Sequence, residues 1–252
     1  MASEYLKWKY KDVKPDQPPQ YSKEVLRRTW WEYNFKWVLL GLAAAIVFLL
    51  FILDIFFRTR PDYQIAFVCR TAVPDEVVNS LELQLAQLGE DINGDGQVVV
   101  SVNTYELDFD GQGRDGQSAA DMNFASGAAT RLAGDISAGN VYLILLDDPE
   151  GFQRRMGALA FLDGGEPPMD GESYGAERWR EMVYQWTDCP ALGDMELGVY
   201  HPYAGAEETE ETCQTFLHNM FVGHRTVYDD ALTEHFTGDE ELWRKLTAGA
   251  NS

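Results

Sequence analysis

The longest uninterrupted apolar run in the chain is WVLLGLAAAIVFLLFILDIFF, residues 37–57. It contains a single charge, Asp54, near its far end. A helix rises about 1.5 Å per residue, so this run would extend about 30 Å, the thickness of the hydrocarbon core of a bilayer. The pattern predicts a transmembrane helix at residues 37–57. Because the Ser22 hydroxyl can cap a helix, we expect the helix to begin there and to continue unbroken into the span.

Downstream of the span, apolar runs alternate with helical periodicities. Three runs are apolar on both faces, as in strands that are covered from both sides: residues 63–68, 98–102 and 141–146. Between them, apolar positions recur at spacings of three and four, as in amphipathic helices. The order strand, helix, strand, helix, strand predicts an α/β fold with a parallel sheet in three layers.

After residue 150 the pattern is less regular. Helical spacing of apolar residues predicts further helices at residues 177–186, 216–222 and 232–246, and a strand at residues 195–200. The chain is then organised as a tail of residues 1–36, a transmembrane helix at 37–57 and one α/β domain at 62–252, which is long enough to bury a core.

Charge separates the tail from the domain. Residues 1–60 carry ten Lys and Arg against six Asp and Glu, whereas residues 61–252 carry ten against thirty-five. Eight of the basic residues precede the span, so the positive-inside rule predicts a single-pass protein of the cell membrane with a cytoplasmic N-terminus and an extracellular domain. The run starts too late and is too long for a cleaved signal peptide, so we expect an uncleaved signal anchor. An acidic domain repels phosphate, which excludes nucleic acid as a partner.

Oxygen-bearing side chains alternate along the loop before the second strand. Asp91, Asn93 and Asp95 are followed by Gly96, and the backbone carbonyl of Gln97 adds a further ligand, as at the start of an EF-hand loop. The twelfth position, where a bidentate Glu belongs, is a valine. Two interpretations stay open: a calcium site, or a helix-to-strand turn whose Asn and Gly adopt left-handed conformations without a metal.

Acidic residues also follow the second and third predicted strands. In an open parallel sheet, ligands bind outside the carboxyl ends of the strands. We therefore expect a ligand site at Asp108, Asp110, Asp147 and Asp148. The alternative is that these are ordinary surface-loop aspartates.

The chain has three cysteines. Cys189 and Cys213 are candidates for a disulfide, whereas Cys69 ends an apolar strand and is expected to be a buried thiol. No Ser lies in a GxSxG elbow between a predicted strand and a helix, no GxGxxG directly follows a predicted strand, and no GxxxxGK[ST] motif occurs. The histidines lack metal-ligand spacing, so we expect no enzymatic activity.

Residues 63–148 resemble the first lobe of the extracellular solute-binding proteins of bacterial ABC importers. The resemblance lies in the strand YQIAFV with its helix, in the run VVVSVNTYELD, and in the segment ATRLAGDISAGNVYLILLDD. It implies a periplasmic-binding-protein-like lobe whose ligand contacts would fall near Asp108 and at Asp147 and Asp148.

Taken together, these patterns predict a membrane-anchored, extracytoplasmic, non-catalytic domain of a bacterial cell surface. It would be stabilised by Ca²⁺ and would bind a small ligand or a membrane-protein partner. Two alternatives remain: an accessory subunit of a membrane complex, and a surface hydrolase that uses carboxylates and calcium.

Overall fold

The computed structural model describes residues 21–57, 60–109, 119–168, 173–202, 210–228 and 230–250. Side chains are described throughout these ranges except at residues 54–57, 119–125 and 230–231. The chain divides into two compact units, residues 1–58 and residues 59–252.

The first unit contains one long helix, α1, at Lys23–Phe57. The backbone N–H of Val25 donates to the Ser22 hydroxyl at 3.4 Å, which confirms the predicted start of the helix. Within the described residues, α1 is the one helix long and apolar enough to cross a membrane, and none of its apolar stretch is buried. An N-terminal helix of this kind is compatible with a membrane anchor or a signal sequence.

The second unit is a mixed α/β domain around a five-stranded sheet. Its strands are β1 Tyr63–Cys69, β2 Val100–Glu106, β3 Leu143–Leu146, β4 Val183–Gln185 and β7 Phe221–His224, in the spatial order β2–β1–β3–β7–β4. Two short strands, β5 Val199–Tyr200 and β6 Glu211–Thr212, pair separately. The α-helices are α2 Asp75–Leu88, α3 Ala119–Ser137, α4 Pro149–Met156, α5 Pro190–Gly193, α6 Cys213–Leu217, α7 Asp230–His235 and α8 Thr237–Leu246. Turns of 3₁₀-helix lie at Ala176–Glu181 and Trp186–Asp188.

Strand β1 is the centre of the parallel part of the sheet. It pairs in parallel with β2 on one side and with β3 on the other. Its buried side chains alternate between two core clusters: Tyr63, Ile65 and Phe67 pack in the cluster that contains Leu81 of α2, whereas Ala66 and Val68 pack in the cluster that contains Leu132 of α3. This explains why β1 carries apolar residues on both faces, with Gln64 as its one polar position.

The three strands predicted to be parallel are parallel, but two further strands make the sheet as a whole mixed. Strand β7 pairs antiparallel with β3, and β4 pairs antiparallel with β7. Strand β4 lies in the predicted helix 177–186, and β7 begins in the predicted helix 216–222. Residues 176–181 form a 3₁₀ turn instead, and the chain then extends along β7. Pairing with the open edge of β3 therefore overrides the local helical spacing, as context often does for β-strands.

Gln153 fastens α4 to the segment that follows it. The side chain is fully buried, its Nε2 donates to the Tyr174 carbonyl at 2.8 Å, and its Oε1 accepts from the Leu159 backbone N–H at 2.9 Å. Both ends of the amide are thus satisfied, as buried polar groups require. This contact fixes the course of the chain from α4 into the residues that flank β7.

Candidate ligand-binding site

The carboxyl edge of the parallel strands is where the sequence predicts a ligand site. Strands β2 and β3 lie on opposite sides of β1. The connection through α2 places β2 on one side of β1, and the connection through α3 places β3 on the other side. In open α/β sheets this switch point forms the crevice in which ligands bind. Cys69 ends β1 there, and Asp147 immediately follows β3.

Asp147 is held by groups at the end of β1. Its Oδ2 accepts from the Arg70 backbone N–H at 2.9 Å and from the Cys69 thiol at 3.6 Å, and it lies 3.5 Å from Arg70 Nε. Burial raises the pKa of Asp147, and the hydrogen bond and charge of Arg70 partly offset this. Burial also raises the pKa of Cys69, so the thiol stays protonated at neutral pH. These groups tie β1 to β3.

Asp148 has a different environment from its neighbour. Its Oδ1 accepts from the Gly151 backbone N–H at 3.0 Å and caps α4. Its Oδ2 is buried and, of the side-chain atoms that the structure describes, is the one buried N or O without a hydrogen-bond partner. A Cβ at Gly151 would come within 2.3 Å of this oxygen and 2.6 Å of Phe109 Cβ, so only glycine fits. Asp148 therefore acts in the structure as a helix cap.

Asp108 lines a cavity of about 670 Å³, here called the Asp108 cavity. It lies between the end of β2, helix α3 and the end of α4. Its wall is formed by Leu107, Asp108, Phe109, Ser126, Ala129, Thr130, Ala133, Arg155 and Met156. Ligand pockets typically measure about 300–1,000 Å³ and are mostly apolar with a few polar groups, which is the composition seen here.

The four aspartates predicted as a ligand site are therefore not brought together in one cavity. Asp108 lines the Asp108 cavity, Asp147 and Asp148 do not, and Asp110 lies outside the described residues. Prediction from sequence missed Arg155 and Thr130. Both are polar positions on amphipathic helices, and the small residues at spacings of three and four along α3 are the signal that this helix faces a cavity.

The loop of the predicted calcium site is closed by its own hydrogen bonds. Asp91 Oδ1 accepts from the Gly94 N–H at 2.7 Å, and Asp91 Oδ2 accepts from the Gly96 N–H at 2.8 Å. Both glycines adopt left-handed conformations, with φ of 75° and 88°. The turn geometry proposed as the alternative to calcium is therefore present.

The remaining side chains of this loop follow the same pattern. Asn93 Oδ1 accepts from the Asp95 N–H at 2.9 Å, and Asp95 Oδ1 accepts from the Gln97 N–H at 2.9 Å. Asp62 holds the loop against β1, because its carboxylate accepts from the backbone N–H groups of Ile92 and Val99. No group of three or more His, Cys, Asp or Glu that could hold a metal occurs among the described residues. Calcium binding by the loop stays a prediction.

The cysteines are all free thiols and all buried. The proposed disulfide between Cys189 and Cys213 is therefore not formed in this structure. Burial raises the pKa of Cys189 to about 11 and also raises that of Cys213, which the Ser80 hydroxyl partly offsets. Both residues belong to one hydrophobic cluster and pack as small apolar side chains.

Comparisons with known proteins identify none of these sites. No protein-family model matches the chain, and neither a curated protein nor a solved structure matches it.

Proposed function

We propose that this chain is a membrane-anchored, extracytoplasmic, non-catalytic binding domain that holds a small polar ligand in the Asp108 cavity. The observation that carries the proposal is the cavity itself, which opens beside the carboxyl end of β2 and has the size of a ligand pocket. The position agrees with the rule that open α/β sheets bind ligands outside the carboxyl ends of their strands.

The chemistry of the wall points to a polar ligand with an apolar part. Asp108 and Arg155 carry opposite charges, and Ser126 and Thr130 add hydroxyl groups that donate or accept hydrogen bonds. The other wall residues are apolar, and Phe109 is held by an edge-on contact with Phe152 at a centroid distance of 5.9 Å. A small organic molecule with both hydrogen-bonding and apolar groups satisfies such a wall.

Two observations, α1 and the charge pattern, support the proposed location of the domain. A long apolar helix supports anchoring, and the basic residues before it support a cytoplasmic N-terminus. The two core clusters on opposite faces of β1 support a three-layer domain. The parallel order β2–β1–β3 is the feature that supports a kinship with solute-binding lobes.

The proposal is tested by filling the Asp108 cavity. Ala133 is exposed, lies on α3 and lines the cavity, so Ala133→Phe should occupy its volume without changing its charge. Ala138 is exposed just after the same helix and does not line the cavity, which makes Ala138→Phe the matched control. The full-length protein in detergent would be melted with a panel of small polar metabolites, including sugars, carboxylates, amines and amino acids.

We expect at least one compound to raise the melting temperature of the wild type and of Ala138→Phe but not that of Ala133→Phe. A compound present at about 100 times its dissociation constant adds about 2.7 kcal/mol to the free energy of unfolding, which a melt detects easily. If no compound shifts the wild type, or if every shift survives in Ala133→Phe, the proposed function is wrong.

A further inference from the structure

A second cavity, here called the Arg225 cavity, lies at the edge of the sheet opposite Asp147. Its volume is about 170 Å³. Strand β3 begins and the antiparallel β7 ends at this edge, which brings Tyr142 and His224 together. Tyr142, Arg225 and Phe236 are buried members of the lining, and Glu166 and Glu240 are exposed members at the mouth.

Arg225 is a charged side chain that is only 8% exposed. Its Nη1 donates to the Ile136 carbonyl at 2.6 Å and its Nε to the Thr226 carbonyl at 3.2 Å. No carboxylate of the described residues forms an ion pair with it. The carbonyl of Ile136 lies at the C-terminal, negative end of α3, which compensates the guanidinium only in part.

The third nitrogen of this guanidinium has no hydrogen bond within the described part of the chain. Arg225 lines the cavity, so its guanidinium is the cationic group of the described lining. Burial lowers the pKa of Arg225, as expected for a charge that its surroundings do not fully compensate.

Aromatic rings form an apolar wall next to this charge. Tyr142 stacks on His224 at a centroid distance of 5.5 Å and packs against Phe236 at 5.2 Å. The Arg225 guanidinium lies 5.3 Å from the centre of the Phe236 ring. Burial lowers the pKa of His224, so its imidazole is neutral at neutral pH and Arg225 is the cation of the inner cavity.

The mouth of the cavity has the opposite charge. Glu166 and Glu240 are both exposed, and the ionic contact between Glu240 and Arg244 is a long one, 3.9 Å. A cation at the bottom and carboxylates at the opening match a ligand with a negative group in front and a positive group behind. The volume lies well below the roughly 300 Å³ of the smallest drug-sized pockets, so the ligand has to be small.

We propose that the Arg225 cavity binds a small zwitterion, a free α-amino acid, whose carboxylate accepts from Arg225 and whose ammonium group faces Glu166 and Glu240. Arg is suited to carboxylates because its planar fork donates in pairs. The aromatic wall favours an apolar side chain. This site is separate from the Asp108 cavity and does not depend on the function proposed for it.

The test uses ligands that remove one charge at a time. The full-length protein in detergent is titrated calorimetrically with L-alanine and L-leucine, with propionate and 4-methylpentanoate, which lack the ammonium group, and with the two amino-acid amides, which lack the carboxylate. Loss of a hydrogen bond to a charged group reduces affinity by about tenfold or more, so both sets of analogues should bind at least that much more weakly. The C-terminus of a peptide also carries a carboxylate without a neighbouring ammonium group. Propionate and 4-methylpentanoate, here called the deamino acids, therefore test whether the cavity prefers such a group.

Variants assign each charge to its residue. In the double variant Glu166→Gln, Glu240→Gln, the amino acids should bind no more tightly than the deamino acids. The fold should persist, because both residues are exposed. Glu234→Gln is the matched control, since Glu234 is exposed nearby and does not line the cavity. Arg225→Gln should abolish binding of amino acids and deamino acids alike, with circular dichroism as the check on folding.

The proposal is overturned if no amino acid binds the wild type at millimolar concentration. It is also overturned if the deamino acids or the amides bind as tightly as the amino acids, or if the double Glu variant behaves like Glu234→Gln. Should Arg225→Gln fail to fold, the double Glu variant and the ligand series still decide the question.

Discussion

Asp239 lies in the first turn of α8 and is only 8% exposed. Burial raises the pKa of its carboxyl group from the ordinary 3.8 to about 7. The folded protein therefore binds a proton that the unfolded chain releases between about pH 4 and pH 7. Because the protonated form is favoured in the folded state, the stability that this group contributes is fully present below about pH 4 and is lost as the pH rises to about 7.

The size of the effect follows from the shift. A difference of about three pKa units corresponds to about 4 kcal/mol in the free energy of unfolding. Asp239→Asn keeps the shape of the side chain and removes its titration. We expect the stability of this variant relative to the wild type to increase with pH, by up to about 4 kcal/mol between pH 4 and pH 8. Tyr63 and Tyr142 lie within electrostatic reach, but burial raises the pKa of both, so neither titrates in this range.

The assay is urea unfolding of the full-length protein in detergent at several pH values, followed by tryptophan fluorescence. Asp75→Asn is the matched control, because Asp75 lies in the first turn of α2 and is exposed. Its effect should stay within the roughly 1 kcal/mol of a helix-dipole interaction at every pH. A difference between Asp239→Asn and the wild type that does not change with pH would refute the reasoning.

Three further predictions concern the loop, the thiols and the topology. Calcium at about ten times its dissociation constant should add about 1.4 kcal/mol to the free energy of unfolding of the wild type, and the double variant Asp91→Ala, Asp95→Ala should lose this increase, as measured by melting with calcium and with chelator. Equal effects in both proteins mean that the loop is only a turn. Mass spectrometry without reductant should find Cys69, Cys189 and Cys213 all open to alkylation after unfolding; a linked pair would contradict the structure. Protease added to intact cells should degrade the acidic domain, and a domain that is protected until the membrane is broken would contradict the predicted orientation.

The elements that sequence predicted well are those whose signal is local. The start of α1 at Lys23 follows from a capping hydroxyl at Ser22, and the strands at 63–69 and 143–146 follow from runs that are apolar on both faces. The strand β7 was missed because its extended shape depends on pairing with β3, a contact between residues that are far apart in the chain. Local spacing carries no information about that pairing.

The separation of Asp147 from Asp148 has a more elementary reason. Successive residues along an extended chain face opposite sides, so Asp147 and Asp148 belong to different environments although they are adjacent. Asp147 turns to Arg70 at the end of β1, whereas Asp148 turns to Gly151 of the next helix. This alternation of side-chain directions predicts that Asp147 and Asp148 have different surroundings. Arg225 gave no local signal, because Ile136, whose carbonyl accepts from its guanidinium, lies 89 residues away in the chain.

Helix α3 lines the Asp108 cavity and also holds Arg225, a residue that lines the other cavity. Ala133 lines the Asp108 cavity, and three residues later, about 4.5 Å along the helix axis, the carbonyl of Ile136 holds the guanidinium of Arg225. A ligand that displaces α3 in one cavity therefore changes the position of the binding group in the other. Thermodynamic linkage makes such an effect reciprocal: the factor by which one occupant changes the affinity for the second equals the factor by which the second changes the affinity for the first. If both proposed sites bind their ligands, α3 is the element through which their affinities would be linked.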